Sequence, residues 1–351
     1  SASAPDGHAL IKYMNPYEVM WSFVIGFYHE LQFGKFKLSG DEIKNVKIKI
    51  NKDAKSDSIP NPISFAAEFN ECVTWIENRG LEPNEVAYTA LEYLNRRSGP
   101  EFNIGVEKFV LLASTLWNCN VNITNAFRTR IEILQYLNFR TEGYLPESLL
   151  KDALAASTLH TLTLKFNKDQ ILTDNDGTLL PPGNSDNDDA KLGNIQTVIK
   201  EAIMPVSITD DEPILKNMDV LDFPGARAMK GLEGADADTI NNDIKDNSSE
   251  ILKDVYKRGK LLYLFESYKK DYDITLLVFC SENQPGSAPV LRTMIKGWLD
   301  IDPTQKPEDT SLFSVFTKAD MMIPEKDTAE SADERITARF KENFSDYYGS
   351  W

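Results

Sequence analysis

The chain has 351 residues, 42% of them apolar and 10% aromatic, enough to bury a large core and to favour two domains. Its net charge of −16 and pI near 4.8 argue against a phosphate-backbone binder, which normally shows a basic patch or stripe. Cys72, Cys119 and Cys280 are too scattered for a disulfide framework or a zinc site and suit buried thiols in a reducing compartment, and no apolar run reaches the roughly 20 residues that span a bilayer.

The opening Ser1-Ala-Ser-Ala-Pro5 reads as a cloning boundary, so upstream sequence is expected, and no signal-peptide pattern is visible. Residues 1–155 read as a mainly helical domain. Asn15-Pro16-Tyr17-Glu18 supplies a cap, a first-turn proline and an N3 glutamate ahead of Val19, Met20, Phe23, Val24 and Phe27, which share one helical face. The same spacing recurs at Phe65, Phe69, Cys72 and Ile76, at Val86, Ala90, Leu91 and Leu94, and through Val106–Leu116 and Thr124–Leu137. Asn45-Val-Lys-Ile-Lys-Ile-Asn51 alternates apolar and polar residues, which predicts a short strand or hairpin arm.

After Pro146 the texture changes to short apolar runs between helical patterns, the signature of βα units, so residues 156–351 read as an α/β domain. The expected strands are Leu159–Phe166, Met204–Thr209, Met218–Asp222, Ile274–Cys280 and Leu312–Phe316. Helices are expected over Asn247–Lys269, Pro289–Leu299 and Ser331–Phe344. Pro181–Lys191 and Gly231–Asp246 read as exposed loops.

Two of these strands end in chemistry. Asp219-Val-Leu-Asp222-Phe-Pro-Gly225-Ala-Arg227 delivers a carboxylate and then turns on Pro-Gly. In a P-loop NTPase such an aspartate, here Asp222, holds Mg²⁺, and the glycine three residues on, here Gly225, brings a bare backbone N–H to the γ-phosphate. Arg227 has the position of an arginine that neutralises charge on the transferred phosphoryl group, although pairing with an acidic neighbour accounts for it as well. Thr317-Lys318-Ala319-Asp320 follows the second run. In that arrangement Lys318 covers a guanine base while Asp320 accepts from its ring N–H and exocyclic amine. An ordinary strand-to-helix turn and a solvated helix start explain the two motifs singly; their order along the chain favours GTP and Mg²⁺.

Two other readings stand beside this one. Asp174-Asn-Asp176-Gly-Thr178 matches the nucleophile motif of haloacid-dehalogenase-like phosphatases, with the first aspartate phosphorylated and the second acting as acid and base. Asn-Asp-Gly also suits a plain hairpin turn. Alternatively, the chain is a non-catalytic protein-interaction scaffold on a degenerate nucleotide fold. Gly-x4-Gly-Lys-Ser/Thr, whose N–H groups would cradle the phosphates, does not occur; the Gly-Lys pairs are Gly34-Lys35-Phe36 and Gly259-Lys260-Leu261.

Val220-Leu-Asp-Phe-Pro-Gly-Ala-Arg227, Lys257-Arg-Gly-Lys-Leu-Leu-Tyr-Leu-Phe-Glu-Ser-Tyr268, Ile274-Thr-Leu-Leu-Val-Phe-Cys280 and Thr317-Lys-Ala-Asp320 together resemble the bacterial virulence effectors called SrfC, which look like dynamin-type GTPases. The resemblance is clearest over residues 215–320; Ala9–Val19 resembles the segment after the P-loop and first switch. It implies an incomplete P-loop GTPase-like sheet with flanking helices beside the helical domain, Mg²⁺ on Asp222, γ-phosphate sensing by Gly225, and guanine reading by Thr317, Lys318 and Asp320. Phe223 stands where the family usually has leucine, and the P-loop is absent, so this chain alone is expected to hold GTP weakly and not to turn it over. A guanine nucleotide, an unidentified protein and a second copy of the chain are the expected partners. No nucleic-acid partner is expected, since the net charge opposes one, and membrane action rests on analogy, since no basic amphipathic helix is visible. The expected location is the bacterial cytoplasm, with delivery to a host or target cell as an option.

Overall fold

The computed structural model describes residues 7–30, 38–52, 59–60, 62–97, 103–146, 195–203, 248–270, 276–281 and 312–316, with Glu334 and Thr337 as isolated helical positions. The chain divides into two compact units, Ser1–Pro224 with Ala235–Lys260 and Gly225–Gly234 with Leu261–Trp351. Residues 195–203 and 248–260 thus group with the N-terminal helices. The expected strands Leu159–Phe166, Met204–Thr209 and Met218–Asp222, and the helix Pro289–Leu299, lie outside the described residues.

The first unit opens on a strand that helical spacing does not announce. In β1 (His8–Tyr13) Ala9, Ile11 and Tyr13 are buried while His8, Leu10 and Lys12 are only half-buried, a period of two over six residues. β1 is the centre of an antiparallel sheet, flanked by β2 (Glu142–Pro146) and β3 (Ile199–Ile203) in the order β2-β1-β3. Leu10 stands opposite Tyr144 on one side and Ile203 on the other. Lys12 faces Glu201 across the strands and pairs with it at 2.9 Å.

Helix α1 (Pro16–Glu30) begins where Asn15 predicts. The Asn15 side-chain oxygen accepts from the N–H groups of Tyr17 and Glu18 at 2.9 Å each, and the Glu18 carboxylate accepts from the Asn15 N–H at 2.7 Å. Two orphan donors are satisfied reciprocally, as in a capping box. Beyond the cap, α1 is not one-sided: Trp21, Ser22 and Ile25 are buried together with Val19, Met20, Phe23, Val24 and Phe27. A helix buried all round is the centre of its core.

Around it pack α3 (Pro62–Glu77), with Phe65, Phe69, Cys72 and Ile76 inward, and α6 (Val121–Tyr136), with Phe127 and Ile131 inward. α5 (Val106–Ser114) runs into a 3-10 turn, Thr115–Trp117, that places the Trp117 ring 5.8 Å from Phe23 and 5.1 Å from Phe127. α4 (Glu85–Arg96) buries Val86, Ala90 and Leu94 behind an Asn84 cap. Each buried phenylalanine contributes about 2–3 kcal/mol by removal from water, and each edge or tilted ring pair adds about 1 kcal/mol.

The predicted strand over 45–51 is instead the second half of helix α2 (Gly40–Asn51). Ser39 caps it, its side chain accepting from the Glu42 N–H while the Glu42 carboxylate accepts from the Ser39 N–H. That start sets a period of 3.6, on which Ile43, Val46 and Ile50 form an inner stripe; only Ile50 is buried outright. The alternation was real in sequence but Ile48 ends up 59% exposed, because helical spacing turns it away from that stripe.

Helix α7 (Ser248–Lys270) matches the helix expected over 247–269 to within one residue at either end. In the first unit its residues Val255, Tyr256 and Gly259 lie against α1. Gly26 and Gly259 bring the two backbones together: a Cβ on Gly26 would meet the Val255 carbonyl oxygen at 2.2 Å. Tyr256 completes the aromatic cluster, 4.8 Å from the Phe23 ring.

In the second unit β4 (Leu277–Ser281) and β5 (Leu312–Phe316) pair in parallel, Leu277 opposite Leu312 and Ser281 opposite Phe316. Both fall on runs expected to be strands.

Candidate functional site

Parallel pairing sets the direction of both strands, so β4 and β5 end side by side at Ser281 and Phe316. Glu282-Asn283-Gln284-Pro285-Gly286 follows the first end in sequence and Thr317-Lys318-Ala319-Asp320 the second. Ligands of open parallel sheets bind outside the carboxyl ends of the strands, because that is where successive loops converge. Thr317, Lys318 and Asp320 themselves, like Asp222, Gly225 and Arg227, lie outside the described residues. So does the Asp174-Asn-Asp176 motif. Leu276 and Val278, two residues apart at β4, are 36% and 48% exposed.

A second concentration of polar chemistry, which spacing along the chain does not signal, sits in the first unit between α1, α6, β3 and α7. Lys260 is half-buried as a residue, but its ammonium turns inward and donates to the carbonyl oxygens of Thr197, at 3.4 Å, and Ile199. The Tyr256 hydroxyl donates to the same Thr197 oxygen at 2.8 Å. Arg130, buried on α6, stacks its guanidinium 4.1 Å over the Tyr256 ring and donates to the Ala126 carbonyl at 2.6 Å. Glu18 accepts from Lys200 at 2.9 Å. Burial pushes the Lys260 amine down to about 7, the Arg130 charge pushing the same way and Glu18 opposing. Tyr256 is pushed up to about 12, again chiefly by burial, with Arg130 opposing.

The sign of this shift makes a prediction. A lysine with an unfolded value near 10.4 and a folded value near 7 binds more protons in the unfolded chain between those limits, so stability rises with pH from about 7 to about 10. Lys260→Met removes that contribution. Urea midpoints of the wild type should therefore rise more steeply than those of Lys260→Met between pH 7 and pH 9.5; parallel profiles would contradict the assignment.

The cluster holds α7 to β3: Glu18 pairs with Lys200, Lys260 and Tyr256 donate to backbone carbonyls of that segment, and Arg130 is buried against the Tyr256 ring with its Nε unpaired. The Gly259-Lys260 pair is accordingly part of a helix crossing, with Gly259 against Ser22 and Gly26 and Lys260 on β3. The free thiols differ. Cys72 is buried, and burial holds its thiol well above the ordinary value; Cys119 is half-buried and raised for the same reason. Among the described residues no group of three or more His, Cys, Asp or Glu side chains stands close enough to hold a metal ion, and no helix is long and apolar enough to cross a membrane.

The family described as "Putative bacterial virulence factor" matches over residues 104–351, more than two thirds of the chain. No curated protein and no solved structure matches it. The matched range takes in α5, α6, β2, β3, α7 and the β4–β5 pair, so it spans parts of both compact units. This protein belongs to the Putative bacterial virulence factor family.

Proposed function

We propose that this protein is the core of a dynamin-like GTP-binding protein acting in bacterial virulence, with an incomplete P-loop GTPase-like α/β sheet beside a helical domain. The observation that carries the reading is the parallel pairing of β4 with β5, which ends the strand before Thr317-Lys-Ala-Asp320 next to its neighbour at Ser281. Residues 282–311 are long enough for the helical crossover that a parallel neighbour requires. Thr317, Lys318 and Asp320 read guanine in this account, Asp222 coordinates Mg²⁺, Gly225 senses the γ-phosphate and Arg227 stabilises transferred charge. In the proposed cycle GTP orders the loop after Gly225 and couples hydrolysis to assembly with a second copy or to contact with another protein, in the bacterium or in a target cell.

The chain carries no Gly-x4-Gly-Lys-Ser/Thr, so backbone cradle, lysine and Mg²⁺ hydroxyl must come from elsewhere for tight binding. The test is titration of a fluorescent GTP analogue with Mg²⁺ into this chain and into one extended upstream through the nearest Gly-Lys-Ser/Thr of the gene. Binding by the extended chain only is the expected result. Binding by neither would transfer the assignment to the interaction scaffold, and a GTPase rate of this chain above background, abolished by Asp222→Ala, would contradict the incompleteness of its site.

A further inference from the structure

With residues 45–51 in a helix, their lysines gather on one face. Four of the nine residues 44–52 are lysine and none is acidic, in a chain with 54 acidic and 38 basic residues. Lys44 and Ile48 are one turn apart on α2, and Lys52 caps the helix a further turn on; all three are exposed. Ile48 is 59% exposed between the two lysines. Beside this row runs an open groove of about 760 Å³ between α2 and the start of α4, lined by Ile43, Lys44, Ile48 and Lys52 and by the Lys47–Glu85 ion pair at 2.8 Å.

The way α2 is held points the same way. Ile50 is its only buried residue; α2 packs along α4, and its two ends are held by the Ser39–Glu42 box and by Lys108 on its last carbonyls. Its outward row contributes an aliphatic side chain and cations that the described fold does not bury.

We propose that this groove docks a short acidic segment of a partner protein, with carboxylates two helical turns apart meeting Lys44 and Lys52 and an aliphatic side chain resting on Ile48 and Ile43. Charge selects this occupant. Screening confines each interaction to roughly 8 Å at physiological salt, so a short segment in the groove meets chiefly its lining, where Lys44, Lys47 and Lys52 outnumber the single carboxylate of Glu85. An anionic bilayer or a second copy would bring an extended negative surface against a chain of net charge −16. The recognition mode is a helix or extended segment in a groove, its register read by alternate acidic and aliphatic anchors.

The probe is a fluorescein-labelled helical peptide with a leucine midway between two glutamates about two turns apart, followed by anisotropy against the whole chain. Binding at low salt, lost at about 0.5 M salt and for a peptide with glutamine in place of both glutamates, is expected. Lys44→Glu with Lys52→Glu should weaken it about tenfold or more, as should Ile48→Asp. All three positions are exposed, so the variants should keep the wild-type thermal midpoint; Lys44→Gln with Lys52→Gln provides a milder pair with an intermediate loss. No binding, or equal binding by the double glutamate variant, would overturn the proposal. Tighter binding of phosphatidylserine vesicles than of the peptide, lost in the same variant, would also overturn it and give the face to a membrane.

Discussion

Gly259→Ala should destabilise the first unit by about 3 kcal/mol or more, although alanine is the better helix former by about 1 kcal/mol. The added Cβ would stand 1.8 Å from the Ser22 carbonyl oxygen, 2.5 Å from the Gly26 nitrogen and 2.8 Å from the Gly26 Cα. All three are backbone atoms of α1, so no side chain can rotate away. Relief requires α7 to withdraw from α1. Withdrawal would in turn loosen the Tyr256–Phe23 contact at 4.8 Å and the hydrogen bonds from Tyr256 and Lys260 to Thr197. Gly26→Ala meets the same obstacle from the other side, at 2.2 Å from the Val255 oxygen. Because both substitutions open one crossing, the double variant should lose less than the sum of the two. Urea midpoints followed by far-ultraviolet circular dichroism measure this, and a Gly259→Ala protein as stable as the wild type would show that the helices do not meet there.

Lys108→Ala should cost about 3 kcal/mol, concentrated at α2. The last carbonyls of a helix have no partner within it. At the end of α2 the Lys108 ammonium, reaching from α5, donates to the carbonyl oxygens of Lys49 at 3.0 Å and Lys52 at 2.9 Å and to that of Ile50. All three of its protons are used. The side chain is 6% exposed and lies with its ammonium 4.5 Å over the Tyr93 ring, so its stem also fills space. Lys108→Met keeps the stem and should recover part of the loss, which separates packing from capping. Hydrogen exchange is the sharper readout: amides of α2 should lose more protection than those of α3 or α6, and uniform protection across the three helices would contradict the cap.

The elements that were legible in the sequence are those whose signals are local. Asn15 and Glu18 announce their helix because both halves of the capping box lie within four residues, and the geometry follows them atom for atom. The apolar runs ending at Cys280 and Phe316 lie on β4 and β5. Where two periods compete, the local pattern does not decide between them. Val46, Ile48 and Ile50 alternate perfectly, yet the Ser39–Glu42 box upstream and the Lys108 cap from a distant helix decide for a helical turn. β1 is hard to read for the opposite reason, since Ala9, Ile11 and Tyr13 show the period of two over only six residues.

Long-range contacts leave no such trace. Gly26 and Gly259 are ordinary glycines until their helices cross, and Lys260 after a glycine looks like a fragment of a phosphate loop until its ammonium is found on Ile199. The nucleotide motifs are the reverse case. Asp222-Phe-Pro-Gly225 and Thr317-Lys-Ala-Asp320 are conspicuous in sequence, and of their setting the described residues contain the two parallel strand ends at Ser281 and Phe316.

The most direct test of the proposed nucleotide core is base discrimination by the upstream-extended chain. GTP and GDP should displace a bound fluorescent guanine nucleotide while ATP does not, and Asp320→Ala should weaken guanine binding by about a hundredfold, the cost of leaving two base N–H groups without their acceptor. Equal displacement by ATP and GTP, with Asp320→Ala unchanged, would remove the guanine-reading role from Thr317-Lys-Ala-Asp320 and with it the GTPase account.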